Sequence, residues 1–333
     1  MKEINDKFWT REGERVRCDI CPARCSLKDG EISRCLTKKN VDGRLVELNY
    51  GEVTALAVDP IEKKPLYHYK PTTQILSIGS WGCTLKCKFC QNWQISTQRP
   101  ALVEKIEPEN LVAFVVNNGV KDIAFTYNEP FVSVQWLIDV LPLLVEEGVD
   151  IVLVSNGVVN REVAEAVLPY VKAVALDLKG DRDFYKTFCG LNAFDTVIDF
   201  AKMCLDMGVW LEVIWLLIEG ANDDFFSKLM GVYESYLKEW VPLHISAYYP
   251  AYKLHFPPTS PAAVMRFAEE ASKSLKFVYS GNILDKEKSS TYCPKCGALL
   301  IERVGYEVLV KNLDMESGKC LKCGEKIEGV WGF

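Results

Sequence analysis

The chain has 333 residues, 49% hydrophobic and 25% charged, a composition that suits one large globular domain with small appendages. Its formal net charge of −6 argues against a broad basic face for nucleic acid. No stretch reaches the roughly 20 apolar residues that span a bilayer, and the charged residues 1–17 contain no signal-peptide core, so the expected compartment is the cytoplasm.

Residues 1–70 hold a first cysteine quartet, Cys18, Cys21, Cys25 and Cys35, and then a β-like stretch over 44–58 behind a turn at Asp42-Gly43. Over residues 71–285, short apolar or β-branched runs alternate with longer stretches of helical period. The runs are 74–79, 122–127, 150–156, 173–178, 210–218 and 244–249; the helical stretches include 109–118, 131–147, 161–168 and 194–207. Gly148 and Gly208 supply stop signals, and Asn192 with Asp195 predicts a helix start. Repeated βα units predict a parallel sheet with right-handed crossovers. Six strands fit either a doubly wound sheet or an incomplete barrel. Residues 286–333 carry a second quartet, Cys293, Cys296, Cys320 and Cys323, around a hairpin-like segment.

Polar residues follow the strand-like runs: Asn128 and Glu129, Ser155 and Asn156, then Asp177 and Lys179. In α/β folds the C-terminal strand ends are where active sites assemble. The trio Cys83, Cys87 and Cys90 also follows a strand, directly after Gly79-Ser-Trp-Gly82. Cluster and polar residues are expected to share one mouth.

Thirteen cysteines are many for a chain with no secretory features, and eleven of them fall into these three groups. In a reducing compartment such grouping points to metal. Zinc collects its ligands as separated pairs, and no His lies in the central loop to complete a tetrahedron. A redox dithiol leaves the third cysteine without a role. Three thiolates on one loop suit three irons of a cubane whose full complement is four cysteines. The fourth iron is then open to a bidentate small molecule.

The segment Gly82-Cys-Thr-Leu-Lys-Cys-Lys-Phe-Cys-Gln-Asn92 resembles the signature of radical SAM enzymes similar to pyruvate formate-lyase activating enzyme. Asp59-Pro-Ile-Glu-Lys-Lys-Pro-Leu-Tyr-His68, with Phe125-Thr-Tyr-Asn-Glu-Pro130 and Asp177-Leu-Lys179, resembles a narrower group, the radical SAM enzyme of the AmmeMemoRadiSam system. The resemblance implies an incomplete (β/α)6 TIM-like barrel, flanked by an N-terminal Cys-rich metal-binding segment and a C-terminal zinc-ribbon-like tail. It implies a [4Fe–4S] cluster on Cys83, Cys87 and Cys90, and reductive cleavage of S-adenosylmethionine to a 5′-deoxyadenosyl radical. Phe89 matches a position packed near the adenine. Asn128 and Glu129 stand where the family has Gly-Gly-Glu at the methionine amino group, with Tyr127-Asn128 replacing the glycines. Ser155 and Asn156 would face the ribose or the methionine carboxylate, and Asp177 and Lys179 would lie near the cofactor. His244 matches a histidine reaching S-adenosylmethionine, and a satisfied core histidine fits it as well. A ferredoxin or flavodoxin is the implied electron donor.

Two Cys-x2-Cys-Gly knuckles at the C-terminus predict a structural zinc that staples a tail too small to fold alone. The N-terminal quartet fits zinc or a second iron–sulfur cluster. Cys204 sits on the apolar face of its helix, and Cys189 lies in a loop near the expected site. The leading function is hydrogen-atom abstraction by the radical, either from a backbone glycine of a partner enzyme or from a small or lipid-like molecule within the AmmeMemoRadiSam system, whose other proteins are candidate partners. A non-enzymatic iron–sulfur and zinc scaffold is the alternative of another class.

Overall fold

The fold is taken from a computed structural model that describes residues 1–332. Eight strands form the central sheet: β1 (Ala55–Pro60), β2 (Gln74–Gly79), β3 (Asp122–Phe125), β4 (Asp150–Ser155), β5 (Val171–Asp177), β6 (Trp210–Leu217), β7 (Leu243–Ala247) and β8 (Val278–Gly281). Helices α1 (Pro108–Asn117), α2 (Val134–Glu146), α3 (Arg161–Val167), α4 (Phe194–Asp206), α5 (Phe226–Ser235) and α6 (Pro261–Ala271) connect β2 through β8 in turn. Every strand pairs with its neighbours in sequence. A doubly wound sheet reverses its strand order midway. A sequential order with right-handed crossovers instead puts all the helices on one face and leaves the other to line an interior. The two edges, β1 and β8, are not paired with each other, so the sheet stays open.

The six predicted runs are β2 to β7, all parallel. Two strands of the sheet lie outside those six runs, one of them overlapping the β-like stretch expected over 44–58. β1 pairs antiparallel with β2, and β8 adds a seventh parallel strand beyond β7. β1 is part-exposed and ends in proline, while β8 has only four residues, so neither carries a strong pattern. The central sheet thus begins at Ala55, within the segment assigned to the N-terminal part of the chain. Gly148 and Gly208 end α2 and α4 in the left-handed conformation, as expected. Asn192 does not cap α4. Ala193 takes that position without a side-chain bond, and Asp195 pairs with Arg182 at 2.6 Å.

Alternation along the strands separates two cores. Leu153, Val174, Leu176, Val213 and Trp215 pack with α2 and α4, where Cys204 is fully buried. Ala124, Val152, Ala173, Ala175 and Ile214 face inward and form a smaller cluster with Leu66 and Tyr69. These small inward side chains leave room in the upper interior.

The N-terminal segment is a pair of three-stranded sheets with the predicted turn, Asp42 and Gly43 both at positive φ. It is held to the barrel by buried Glu47, which pairs with Lys38 at 3.2 Å and accepts the backbone N–H groups of Gln135 and Trp136 at the start of α2. The tail packs on the opposite, N-terminal ends of the strands. Val330 exchanges backbone bonds with His68 and Lys70, and fully buried Arg303 donates to the Tyr67 carbonyl at 2.7 Å. Among the described residues no helix is long and apolar enough to cross a membrane.

Candidate active site and metal centres

Gly82 makes the turn from β2 into the cysteine loop at φ +85°. A Cβ there would lie 2.4 Å from Thr37 Cγ2 and 2.6 Å from the Cys35 carbonyl oxygen, so the loop reaches its position only with glycine. Asn128 braces the same turn, accepting Ser80 N–H at 2.9 Å and donating to the Gly82 carbonyl at 3.1 Å. The loop delivers Cys83, Cys87 and Cys90 to a cavity of about 490 Å³ at the C-terminal strand ends.

The C-terminal ends of β3 through β7 complete that cavity, with Leu216 from β6 and Ser246 from β7. Phe89, Asn128, Glu129, Asn156, Asp177 and Lys179 all line it. Glu129, 2% exposed, accepts Ser155 Oγ at 2.8 Å, Asn156 N–H at 2.8 Å and Phe131 N–H at 3.2 Å. Burial nonetheless raises its carboxyl to about 7, against the opposing pull of those donors. Asn156 Nδ2 stands 3.5 Å from Cys83 Sγ and 3.3 Å from Thr84 Oγ1. Ser155 lies behind the wall as a support for Glu129. Lys179 Nζ pairs with Asp177 at 2.9 Å; burial lowers the ammonium, but the surrounding anionic groups, Asp177 foremost, hold it well above its ordinary value. Phe89 packs against Phe184 with ring centres 5.7 Å apart.

His244 is not part of this site. It is the second residue of β7, at the tail end of the interior, where its Nε2 meets Glu212 at 2.7 Å and its ring packs on Tyr67 and Tyr279. Ser246, one inward step further along the strand, lines the cavity instead. Glu212 also accepts the Tyr67 and His68 backbone N–H groups, so His244 belongs to the buried polar layer under the tail.

Residues of the 59–68 motif are wall residues that the sequence did not assign. Lys63, Lys64 and Pro65 line the cavity, as does Tyr127. Asp59 holds Lys63 and Lys64 at 2.7 Å each and accepts the Tyr127 hydroxyl at 2.8 Å. Tyr127 takes φ +70°, the backbone conformation a glycine would favour. The signal in the sequence was the motif itself, with Asp59 four and five residues before Lys63 and Lys64; the Tyr127 contact is made only by the fold.

Burial raises the Cys83 thiol, and a contact with Cys189 together with burial raises Cys87. Cys189, fully buried in the turn Tyr185–Cys189, is thereby placed against the cysteine loop, and its carbonyl accepts Lys86 N–H at 2.9 Å. Thiols this hard to ionise become thiolates when a metal's charge replaces solvent.

The four tail thiols, Cys293, Cys296, Cys320 and Cys323, lie within 4.8 Å of one another, and among the described residues no other three metal-ligating side chains do. Two of their Sγ–Sγ separations are 3.6 and 3.7 Å. Cys18, Cys21, Cys25 and Cys35 line a separate enclosed pocket with Lys38, Thr84 and Val132.

An open, sequentially ordered parallel sheet with three loop cysteines at its mouth is the arrangement of a radical SAM domain, and residues 78–231 match the model of the radical SAM superfamily. The chain thus carries a domain of this superfamily, and it belongs to the family of the uncharacterized protein MJ0808 of Methanocaldococcus jannaschii, with which it shares 38% identity over 96% of its own length and 97% of the relative's. A radical SAM methyltransferase from Sphaerobacter thermophilus has a similar fold, with 16% identity, a TM-score of 0.51, and coverage of 84% of this chain and 75% of that one. A domain of a pyruvate-formate lyase-activating enzyme from Bacteroides vulgatus aligns over 48% of this chain and 98% of its own, at 17% identity and a TM-score of 0.41. Membership implies a [4Fe–4S] cluster and S-adenosylmethionine.

Proposed function

We propose that this chain is a radical SAM oxidoreductase whose Cys83, Cys87 and Cys90 hold the [4Fe–4S] cluster and whose cavity binds S-adenosylmethionine. The observation that carries the reading is the convergence of three loop thiols, one buried carboxylate and the Asp177–Lys179 pair on a single cavity. The donor set fits the cluster. The three thiols line one cavity without closing together as the tail thiols do, which suits thiolates that each cap a different iron.

Bound there, cluster and cofactor supply a one-electron cleavage that leaves a 5′-deoxyadenosyl radical to take a hydrogen atom from the substrate. The chain's residues bind and orient. Glu129, with a lone pair of Oε2 still free beside Asn156 N–H, accepts the methionine ammonium. Lys179 is a cation for the carboxylate or ribose edge. Asn156 directs an amide N–H at Cys83 Sγ, a bond of the kind that tunes a cluster's potential. Phe89 offers an apolar face to the adenine. Asn128 acts through Gly82 by fixing the turn.

The lining by Lys63, Lys64 and Pro65 supports placement in the AmmeMemoRadiSam group, because the motif that marks that group is part of the cavity wall. A reduced ferredoxin or flavodoxin supplies the electron. Zinc suits the tail, since four thiolates at 2.3 Å from one ion stand about 3.8 Å apart, close to the separations found.

The test is 5′-deoxyadenosine formation by anaerobically reconstituted, reduced protein beside the C83A/C87A/C90A variant. Product from the parent alone is expected. A parent that carries its cluster, is reduced, and still yields none in the presence of its partner proteins overturns the reading.

A further inference from the structure

The three cysteine groups differ in how far apart the fold holds their sulfurs. The tail quartet is compact, with all four thiols within 4.8 Å of one another. Neither the central trio nor the N-terminal quartet brings even three thiols that close. Yet Cys18, Cys21, Cys25 and Cys35 all face one enclosed pocket. Four thiolates around a single zinc stand about 3.8 Å apart. Thiolates that each cap a different iron of a cubane stand roughly 6 Å apart. The N-terminal thiols thus share one pocket without closing together as the tail thiols do, which suits thiolates that each cap a different iron.

We propose that Cys18, Cys21, Cys25 and Cys35 bind a second [4Fe–4S] cluster, saturated by cysteine and distinct from the radical SAM cluster. The fold prepares the pocket for one. Cys18 closes a strand, with its N–H donating to the Cys25 carbonyl at 2.9 Å, and Cys21 to Arg24 form a tight turn between them. Cys35 arrives from a separate turn, its Sγ 3.1 and 3.2 Å from the Ser33 and Thr37 hydroxyls. Lys38, 1% exposed, and Arg34 are the cations in the wall, and no carboxylate or imidazole lines the pocket to compete as a ligand. With four cysteines no iron is left open, so this cluster has no seat for S-adenosylmethionine.

The two clusters would be neighbours. Gly82 packs on the Cys35 carbonyl, and Thr84 lines the N-terminal pocket while its hydroxyl meets the Asn156 amide that also touches Cys83.

The proposal is tested on the full chain, reconstituted anaerobically, by counting iron, sulfide and zinc and by recording electron paramagnetic resonance of the reduced protein with and without S-adenosylmethionine. The parent is expected to hold about eight irons and one zinc, and C83A/C87A/C90A about four irons, giving a signal that S-adenosylmethionine does not alter. A parent with about four irons and two zincs, whose triple variant holds no iron, overturns the proposal and leaves the radical SAM cluster standing. About four irons in both proteins keeps the N-terminal cluster and instead removes the cluster assigned to Cys83, Cys87 and Cys90. Should the triple variant not fold, the parent's eight irons and one zinc against four irons and two zincs decides the matter, with C35S serving as the variant that alters only the S-adenosylmethionine-insensitive signal.

Discussion

The Tyr127 hydroxyl donates to Asp59 Oδ2 at 2.8 Å, and this bond ties the antiparallel edge strand to the loop that carries Glu129. Burial would raise the Asp59 carboxyl, but Lys63, Lys64 and Tyr127 hold it well below the usual range. Replacing Asp59 by Asn leaves Lys64, 3% exposed, as an unpaired buried charge. D59N is expected to lose about 3 kcal/mol of stability, read by chemical denaturation, and to bind S-adenosylmethionine more weakly as the Lys63–Tyr127 wall loosens.

Glu129 makes stability depend on pH in a particular direction. Its carboxyl titrates at about 7 in the fold against an ordinary 4.5, so between those values the native state holds the extra proton. Stability of the metal-free protein should fall as pH rises from about 4.5 to 7 and then level off. E129Q should lack that slope in thermal melts. In the parent, S-adenosylmethionine binding should weaken as pH drops below about 7, because the ammonium needs the ionised carboxylate. E129Q should bind at least about tenfold more weakly above about pH 7, and its binding should lack this pH dependence.

Gly82 and Gly148 give a matched pair of alanine substitutions. Both have positive φ, but a Cβ at Gly148 meets open space while one at Gly82 collides with Thr37 and Cys35. G148A should cost about 1 kcal/mol. G82A should cost roughly 2 kcal/mol or more and lower the iron content of both N-terminal and central sites, measured on reconstituted protein.

The tail's two knuckles are brought together by their own four thiols, while Val330 and Arg303 hold the tail to the strand ends. Removing its metal, by chelator or by C296S at the exposed Cys296, should free residues 293–332 while leaving the barrel folded. Limited proteolysis with mass spectrometry should then cut within the tail first. Iron at Cys83, Cys87 and Cys90 should be retained, since the tail packs at the opposite ends of the strands.

Much of the site was legible because its signals are local. The cysteine spacing and the polar residue after each strand lie within a few positions of one another, and strands β2 to β7 follow from apolar runs long enough to read. The misreadings occur where position along a strand matters. His244 and Ser246 point to the same interior, but one sits under the tail and the other in the cavity. Only the pairing of β7 with β6 and β8 shows which end each occupies. Asp59 was hidden for another reason: its partner Tyr127 is distant in the chain.

The sequence by itself determined the chemical class: cysteines in three groups, one of them a trio on a short loop, because ligand identity and loop length are set by adjacent residues. Tertiary structure decided the rest. Sequential strand pairing made the sheet an open barrel rather than a doubly wound one. It also set the distances between sulfurs contributed by separate turns, close enough for one ion in the tail and wider at Cys18, Cys21, Cys25 and Cys35. Those distances depend on how whole segments pack against Gly82, Thr84 and Val132, and no spacing within a motif encodes them.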